Sequence, residues 1–274
     1  MTKEKKLLHV VCDYKAGGME FGEINTQIFA GLYQPAEVLV HTTEVPPLDT
    51  AALGFVTAQY ALAPFIGKRV VYGNAAPRRD KDEQARKDNF GQGIKYARLK
   101  NGTEVVNVYS EYAFGFMKEQ IVEFRDIECP AAGSQFRSRD FFPERVAKIM
   151  NGDLSVLTTK LNIDDIPDIE PNRVAWTDGF GNIKTTTRAS YLKKLGLKPG
   201  EKVQVILNDV SMVGVVAIGG FAVERGVLAI NLGSSGYDDP FVELFLRVHH
   251  MSEQTAAVRF GFPAGGTEFT IKPL

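Results

Sequence analysis

Cysteine is nearly absent from this chain. Only Cys12 and Cys129 occur in 274 residues. Two isolated cysteines supply neither a metal-ligand spacing nor a disulfide framework, and a reducing cytoplasm is the expected setting. An excess of charge of either sign is lacking too. Lys and Arg number 32 against 33 Asp and Glu, so nothing points to a general nucleic-acid binder or an acidic scaffold. No long apolar run exists. After the charged start Met1-Thr2-Lys3-Glu4-Lys5-Lys6, residues 7–12 are apolar, which is too short for a signal-peptide core or a membrane span. That run reads as a buried first strand, and no membrane partner is expected. Histidine is scarce, and the adjacent His249-His250 pair cannot turn both rings to one side of a strand. It reads as surface or domain packing, and no metal is expected. Internal repeats and low-complexity segments are missing as well.

What is present is the composition of an ordinary globular protein. The apolar share is 44%, enough for a sizeable core in one large or two modest domains. Strands are expected at residues 7–12, 37–41 and 68–72, and helices at 24–33 and 50–65. This alternation argues for βαβ units, a largely parallel sheet and helices on both faces. Residues 95–99 and 104–109 flank Asn101-Gly102, a strong hairpin signal. A helix is expected over 112–121, a strand over 122–127, and an amphipathic helix over 140–150 with Asn151-Gly152 as its stop. Composition changes at Asp164-Asp165-Ile166-Pro167-Asp168-Ile169-Glu170-Pro171, as in an interdomain linker. Short strands at 173–176, 202–207, 212–218 and 227–231 between Gly-rich turns then indicate a smaller, mostly β domain. The expected division is an α/β domain over 1–165, a linker over 166–171 and a β-rich domain over 172–274.

The richest stretch is Asp178-Gly179-Phe180-Gly181-Asn182, ahead of Thr185, Thr186 and Thr187. Gly admits close backbone approach, Asp and Asn offer directional acceptors and donors, and Phe offers a face for stacking. The same residues also build ordinary turns. Six further stretches follow in order. They are Cys12-Asp13-Tyr14-Lys15 with Gly22-Glu23, Val40-His41-Thr42-Thr43-Glu44-Val45-Pro46-Pro47, Val70-Val71-Tyr72-Gly73-Asn74-Ala75-Ala76-Pro77-Arg78-Arg79, Gln135-Phe136-Arg137-Ser138-Arg139-Asp140-Phe141-Phe142, and Gly233-Ser234-Ser235-Gly236-Tyr237. Together with 178–182 they resemble the motifs of the S-adenosylmethionine hydroxide adenosyltransferases and their fluorinase and chlorinase relatives.

The resemblance implies an α/β domain followed by a barrel-like domain, a homotrimer, and an adenosine ligand held between subunits with no separate cofactor. It implies Asp13 as acceptor for the ribose hydroxyls, since an ionised carboxylate can take two at once. It implies Asp178, Phe180 and Asn182 on the methionine or nucleoside part, and Ser234 and Ser235 at the adenine edge. At the catalytic positions, the chain departs from the family. The family Asp is Tyr72 here, the Arg is kept as Arg79, and the His is Arg137; Lys15 and Thr43 replace a Gly and a His.

Two permanent cations beside a phenol of ordinary pKa about 10 leave no general base of the usual kind. Such a base contributes about 10²–10⁴-fold. The trio Tyr72, Arg79 and Arg137 suits holding an anion better than deprotonating water, unless Arg137 turns away to Asp140 or Glu144. Asp80, Asp82, Glu83 and Glu111 are candidate replacement bases, the first three set in a charge run that reads otherwise as a solvated face. Three readings follow. The chain is an enzyme cleaving S-adenosylmethionine by a modified mechanism, a binding protein for an adenosine ligand, or an enzyme acting on another anionic substrate.

Overall fold

A computed structural model describes residues 5–76, 92–130, 134, 136–236, 238–248 and 254–274. The chain forms two compact units, Met1–Asp168 and Ile169–Leu274, dividing inside the Pro-containing stretch read as a linker. Both are built round a seven-stranded sheet, and the protein as a whole is mixed α/β.

In the first unit, β1 (Lys6–Cys12) leads through α1 (Met19–Gly31) to β2 (Val38–Glu44), and α2 (Thr50–Leu62) returns to β3 (Lys68–Asn74). The hairpin β4 (Ile94–Leu99) and β5 (Glu104–Val108) follows, then β6 (Ile121–Ile127), α3 (Arg137–Asp140), α4 (Phe142–Asn151) and β7 (Leu157–Lys160). The strand order is β2-β1-β3-β5-β4-β6-β7. β2, β1, β3 and β5 run parallel, and from β5 to β7 every pairing is antiparallel. The sheet is therefore mixed, half of what the βαβ pattern suggested, because the β4–β5 hairpin reverses the strand direction and β6 and β7 add to it antiparallel.

Side-chain alternation along the strands serves two different layers. Leu8, Val10, Cys12, Val70 and Tyr72 share a core with Phe21, Ile24 and Ile28 of α1 and Val146, Ile149 and Met150 of α4. The opposite face packs on α2, which is buried along most of its length; a helix that is apolar all round belongs in an interior. Asp49 caps α2 by accepting from the Ala52 N–H at 2.8 Å. The helix stops at Leu62, short of the expected 65, because Pro64 drives the preceding residue out of helical geometry. α1 starts at Met19, earlier than expected, since Phe21 extends the buried Ile24/Ile28 stripe by one turn across the interrupting Gly22. The expected helix at 112–121 is a 3₁₀ segment, Gly115–Gln120, closed by the start of β6.

The second unit contains β8 (Val174–Thr177), β9 (Ile183–Arg188), α5 (Ala189–Lys194), β10 (Lys202–Leu207), β11 (Val210–Ala217), β12 (Leu228–Leu232), β13 (Phe241–Leu246), α6 (Ala256–Arg259) and β14 (Phe269–Pro273). Its order is β14-β10-β11-β12-β13-β9-β8. The sheet curls until its outer strands meet: the Val174 N–H donates to Thr267 O and the Gly266 N–H to Val174 O, both at 2.8 Å. β9, β13 and β14 went unread in the sequence. In β9 the threonine run supplies β-branched residues whose hydroxyls serve the interior: Thr185 Oγ1 donates to Val242 O and Thr186 Oγ1 to Glu170 O, each at 2.7 Å.

Two predictions test these layers. A Cβ at Gly54 would lie 2.2 Å from Tyr112 O, a backbone atom. Gly→Ala inside a helix normally gains about 0.5–1 kcal/mol, whereas overpacking costs about 1–3 kcal/mol. Gly54→Ala is therefore expected to lower the urea midpoint despite its better helix propensity. On the α2 face, His9 stacks on Tyr60 with ring centroids 4.3 Å apart. Its pKa is pushed from 6.5 down to about 4, by burial first and then by His41 and Arg69. The neutral ring thus favours the fold fully above pH 6.5, and that contribution is lost as pH falls towards about 4. His9→Phe is expected to flatten the melting-temperature profile across that window, read by thermal denaturation at stepped pH.

Candidate functional site

The path of the chain makes a topological switch point in the first unit. From β1 it goes through α1 to one neighbouring strand, β2, then back through α2 on the opposite face to the other neighbour, β3. The strand order thus reverses between β1 and β3, and in open α/β sheets ligands favour the carboxyl ends of the strands at such a switch point. Asp13 and Tyr14 follow β1, and Tyr72 and Asn74 end β3. The Asp13 N–H donates to Asn74 O at 3.1 Å, extending the strand pairing. Asp13 Oδ2 accepts from the Leu48 N–H at 3.0 Å, and Leu48 takes a left-handed φ of 62° to present it. Tyr14 lies edge-on to Phe136 at 5.8 Å, its hydroxyl 2.9 Å from Ser138 Oγ.

Tyr72 is fully buried, and its hydroxyl has no hydrogen-bond partner among the described residues. Burial pushes its pKa well above 10, and Cys12, Tyr14, Asp13 and Cys129 add to the rise. Cys12 is likewise raised, by burial first and Asp13 second. Tyr72 is therefore a neutral phenol near neutral pH.

Arg137 is also buried. Its Nη1 donates to Pro130 O and its Nη2 to Cys129 Sγ, both at 2.7 Å, and the guanidinium lies over the Phe141 and Phe142 rings. The alternative partners considered from sequence are otherwise engaged: Asp140 pairs with Arg139 at 2.6 Å, and Glu144 with Arg145 at 2.6 Å. Arg137 thus ties the Cys129-Pro130 stretch to the start of α3. Burial raises the Cys129 thiol pKa, and Arg137 and Arg145 oppose that rise. Arg79, Asp80, Asp82 and Glu83 lie outside the described residues. Glu111 is exposed, and Thr43 Oγ1 is 2.8 Å from the Tyr60 hydroxyl.

In the second unit, the Asp178 carboxylate builds its own turn. Oδ1 accepts from the Phe180 and Asn182 N–H groups, each at 2.9 Å, and Oδ2 accepts from Asn182 Nδ2 at 3.0 Å. This leaves the Phe180 ring 65% exposed, a face open to stacking. Ser234 is exposed, Ser235 O accepts from the Phe241 N–H at 2.8 Å, and Ser235 Oγ is buried with no partner among the described residues. Tyr237, His249 and His250 lie outside the described residues. Sequence reading missed Asn74, Ser138, Lys184 and Glu243. Asn74 had a usable signal, a polar residue ending an apolar strand; a lysine and a glutamate in separate strands carry none until the register is known. Among the described residues, no three or more His, Cys, Asp or Glu side chains gather as a metal site, and no helix is long and apolar enough to cross a membrane.

No family model matches this chain, and neither does any curated protein. Among solved structures, the chain is similar to an uncharacterized conserved protein from Thermotoga maritima, with TM-score 0.69 and 19% identity over 96% of this chain and 99% of that one. It is also similar to a conserved hypothetical protein from Thermus thermophilus, with TM-score 0.61 and 14% identity over 98% of this chain and 100% of that one. At such identities the likeness concerns the fold.

The bonds of Arg137 predict a structural cost. Arg137→Met removes two part-buried hydrogen bonds, at about 0.5–1.5 kcal/mol each, and Arg137→Lys recovers little because an ammonium lacks the planar fork. Urea unfolding is expected to show both losses. An unchanged midpoint would return Arg137 to the anion-holding role read from the sequence.

Proposed function

We propose that the protein binds S-adenosylmethionine or a related adenosine ligand and cleaves it at the ribose carbon bearing sulfur, by a modified mechanism. The observation carrying this reading is Asp13, a carboxylate directly after β1 at the β1/β3 switch point, at the position that the motif resemblance assigns to the ribose hydroxyls. In this reading the ribose diol donates to Asp13, Phe180 stacks on the nucleoside, and Asp178, Asn182, Ser234 and Ser235 hold the remaining polar groups. Arg79 orients the attacking water. Water oxygen bonds to the ribose carbon, the carbon–sulfur bond breaks with its electron pair passing to sulfur, and adenosine, methionine and a proton result. A sulfonium leaves as a neutral thioether, so alignment and desolvation can supply much of the rate without a strong base. Tyr72, kept protonated by burial, orients and does not accept the proton. A barrel-like second domain, a homotrimer, a cytoplasmic location and the absence of a separate cofactor belong to the same reading.

A second reading, binding without turnover, is favoured by one specific observation. The Arg137 guanidinium donates to Pro130 O and Cys129 Sγ, and a cation so engaged contributes less to activating a nucleophile.

Calorimetry with adenosine, and a long incubation with S-adenosylmethionine followed by chromatography, test both readings. Adenosine is expected to bind, with affinity at least about tenfold weaker in Asp13→Ala, since a charge-assisted pair of hydrogen bonds is lost. Adenosine and methionine appearing together support cleavage. Ligand retained without product supports the second reading, and unchanged affinity in Asp13→Ala removes the site assignment.

A further inference from the structure

Two loops of the second unit that resemble ligand motifs are far apart in the sequence, and one ammonium joins them. In the ladder, Trp176 pairs with Lys184, Lys184 with Glu243, and Glu243 with Asn231, so these four side chains share one face of β8, β9, β13 and β12. Lys184 Nζ lies 2.6 Å from Glu243 Oε1 and 3.3 Å from Asp178 Oδ2. All three side chains are largely buried, with 14%, 8% and 13% of their surface exposed. On one side, Asp178 organises the 178–182 turn. On the other, the Glu243 carboxylate packs against Gly233, where an added Cβ would come within 2.3 Å of Oε1. The 233–236 loop is hung on the same strand, the Gly233 N–H donating to Phe241 O at 2.9 Å and the Phe241 N–H to Ser235 O at 2.8 Å.

We propose that Lys184 is a positioning residue that, through Asp178 and Glu243, holds the 178–182 turn and the 233–236 loop together as one ligand-binding lobe. The inference rests on the adenosine-ligand reading above. Its physical basis is the cost of a broken buried ion pair. Without the ammonium, two carboxylates face each other in a poorly solvated site, and each drives its own loop outward. An apolar residue at 184 would fill the space and leave that repulsion in place. An arginine would restore the cation and its donors.

Amide hydrogen exchange read by mass spectrometry, with adenosine calorimetry in parallel, tests this on the full chain. In Lys184→Met, exchange is expected to rise at least about tenfold in 178–182 and in 233–236 together, while first-unit peptides keep wild-type rates. Adenosine affinity is expected to fall by a similar factor. Lys184→Arg is expected to restore both readouts. Glu243→Gln, which keeps the shape, is expected to show the same paired loosening to a smaller extent, and it decides the matter should Lys184→Met not fold. Loosening confined to one loop overturns the coupling. Paired loosening with wild-type affinity, or no rescue by Lys184→Arg, overturns the positioning role. A wild-type protein that binds no adenosine overturns the ligand reading, while the exchange data still decide whether the two loops are coupled.

Discussion

The two crossovers on either side of β1 constrain much of the first unit. A parallel strand cannot be reached by a tight turn, so the chain must cross the sheet by a helix. Here α1 and α2 cross on opposite faces, which buries β1 and β3 on both sides and puts a topological switch point at their carboxyl ends. Asp13, Tyr14, Tyr72 and Asn74 stand at that edge. Asp13 keeps strand pairing through Asn74 O and lends its carboxylate to the Leu48 N–H. Tyr14 reaches across to Ser138 at the start of α3. The switch point is a result of topology, and polar residues stand there because the apolar strand cores end there.

Burial decides what these residues can do chemically. A phenol sealed among Cys12, Tyr14, Asp13 and Cys129 loses its acidity, and a guanidinium sealed beside Cys129 and Pro130 spends hydrogen bonds on holding the chain. The positions matched to an Asp and a His in the family motifs hold a neutral phenol and a buried cation here. Neither group is in a state to accept a proton near neutral pH. Any cleavage must draw on alignment, desolvation and the intrinsic leaving ability of a sulfonium.

The second unit solves a different problem. Its sheet curls until β8 and β14 meet, and its interior face is apolar. The opposite face carries a lysine between two carboxylates, a costly arrangement in a poorly solvated place. The lysine stands between the two loops that bear the exposed Phe180 ring and the Ser234-Ser235 pair.

Much of this was legible in the chain itself. The apolar strands β1 and β3, the Asn101-Gly102 hairpin, the α4 stripe ending at Gly152 and the position of Asp13 after a strand all follow from short-range rules. Side-chain period, turn chemistry and helix-stop residues act within a few positions of one another. The antiparallel half of the first sheet, the strand made of Thr185, Thr186 and Thr187, the Cys129 and Pro130 partners of Arg137, and the Asp178–Lys184–Glu243 triplet were decided only by tertiary structure. Each depends on which distant segments lie side by side and in what register. The energy of a buried charge is set by those neighbours, which the local sequence does not specify.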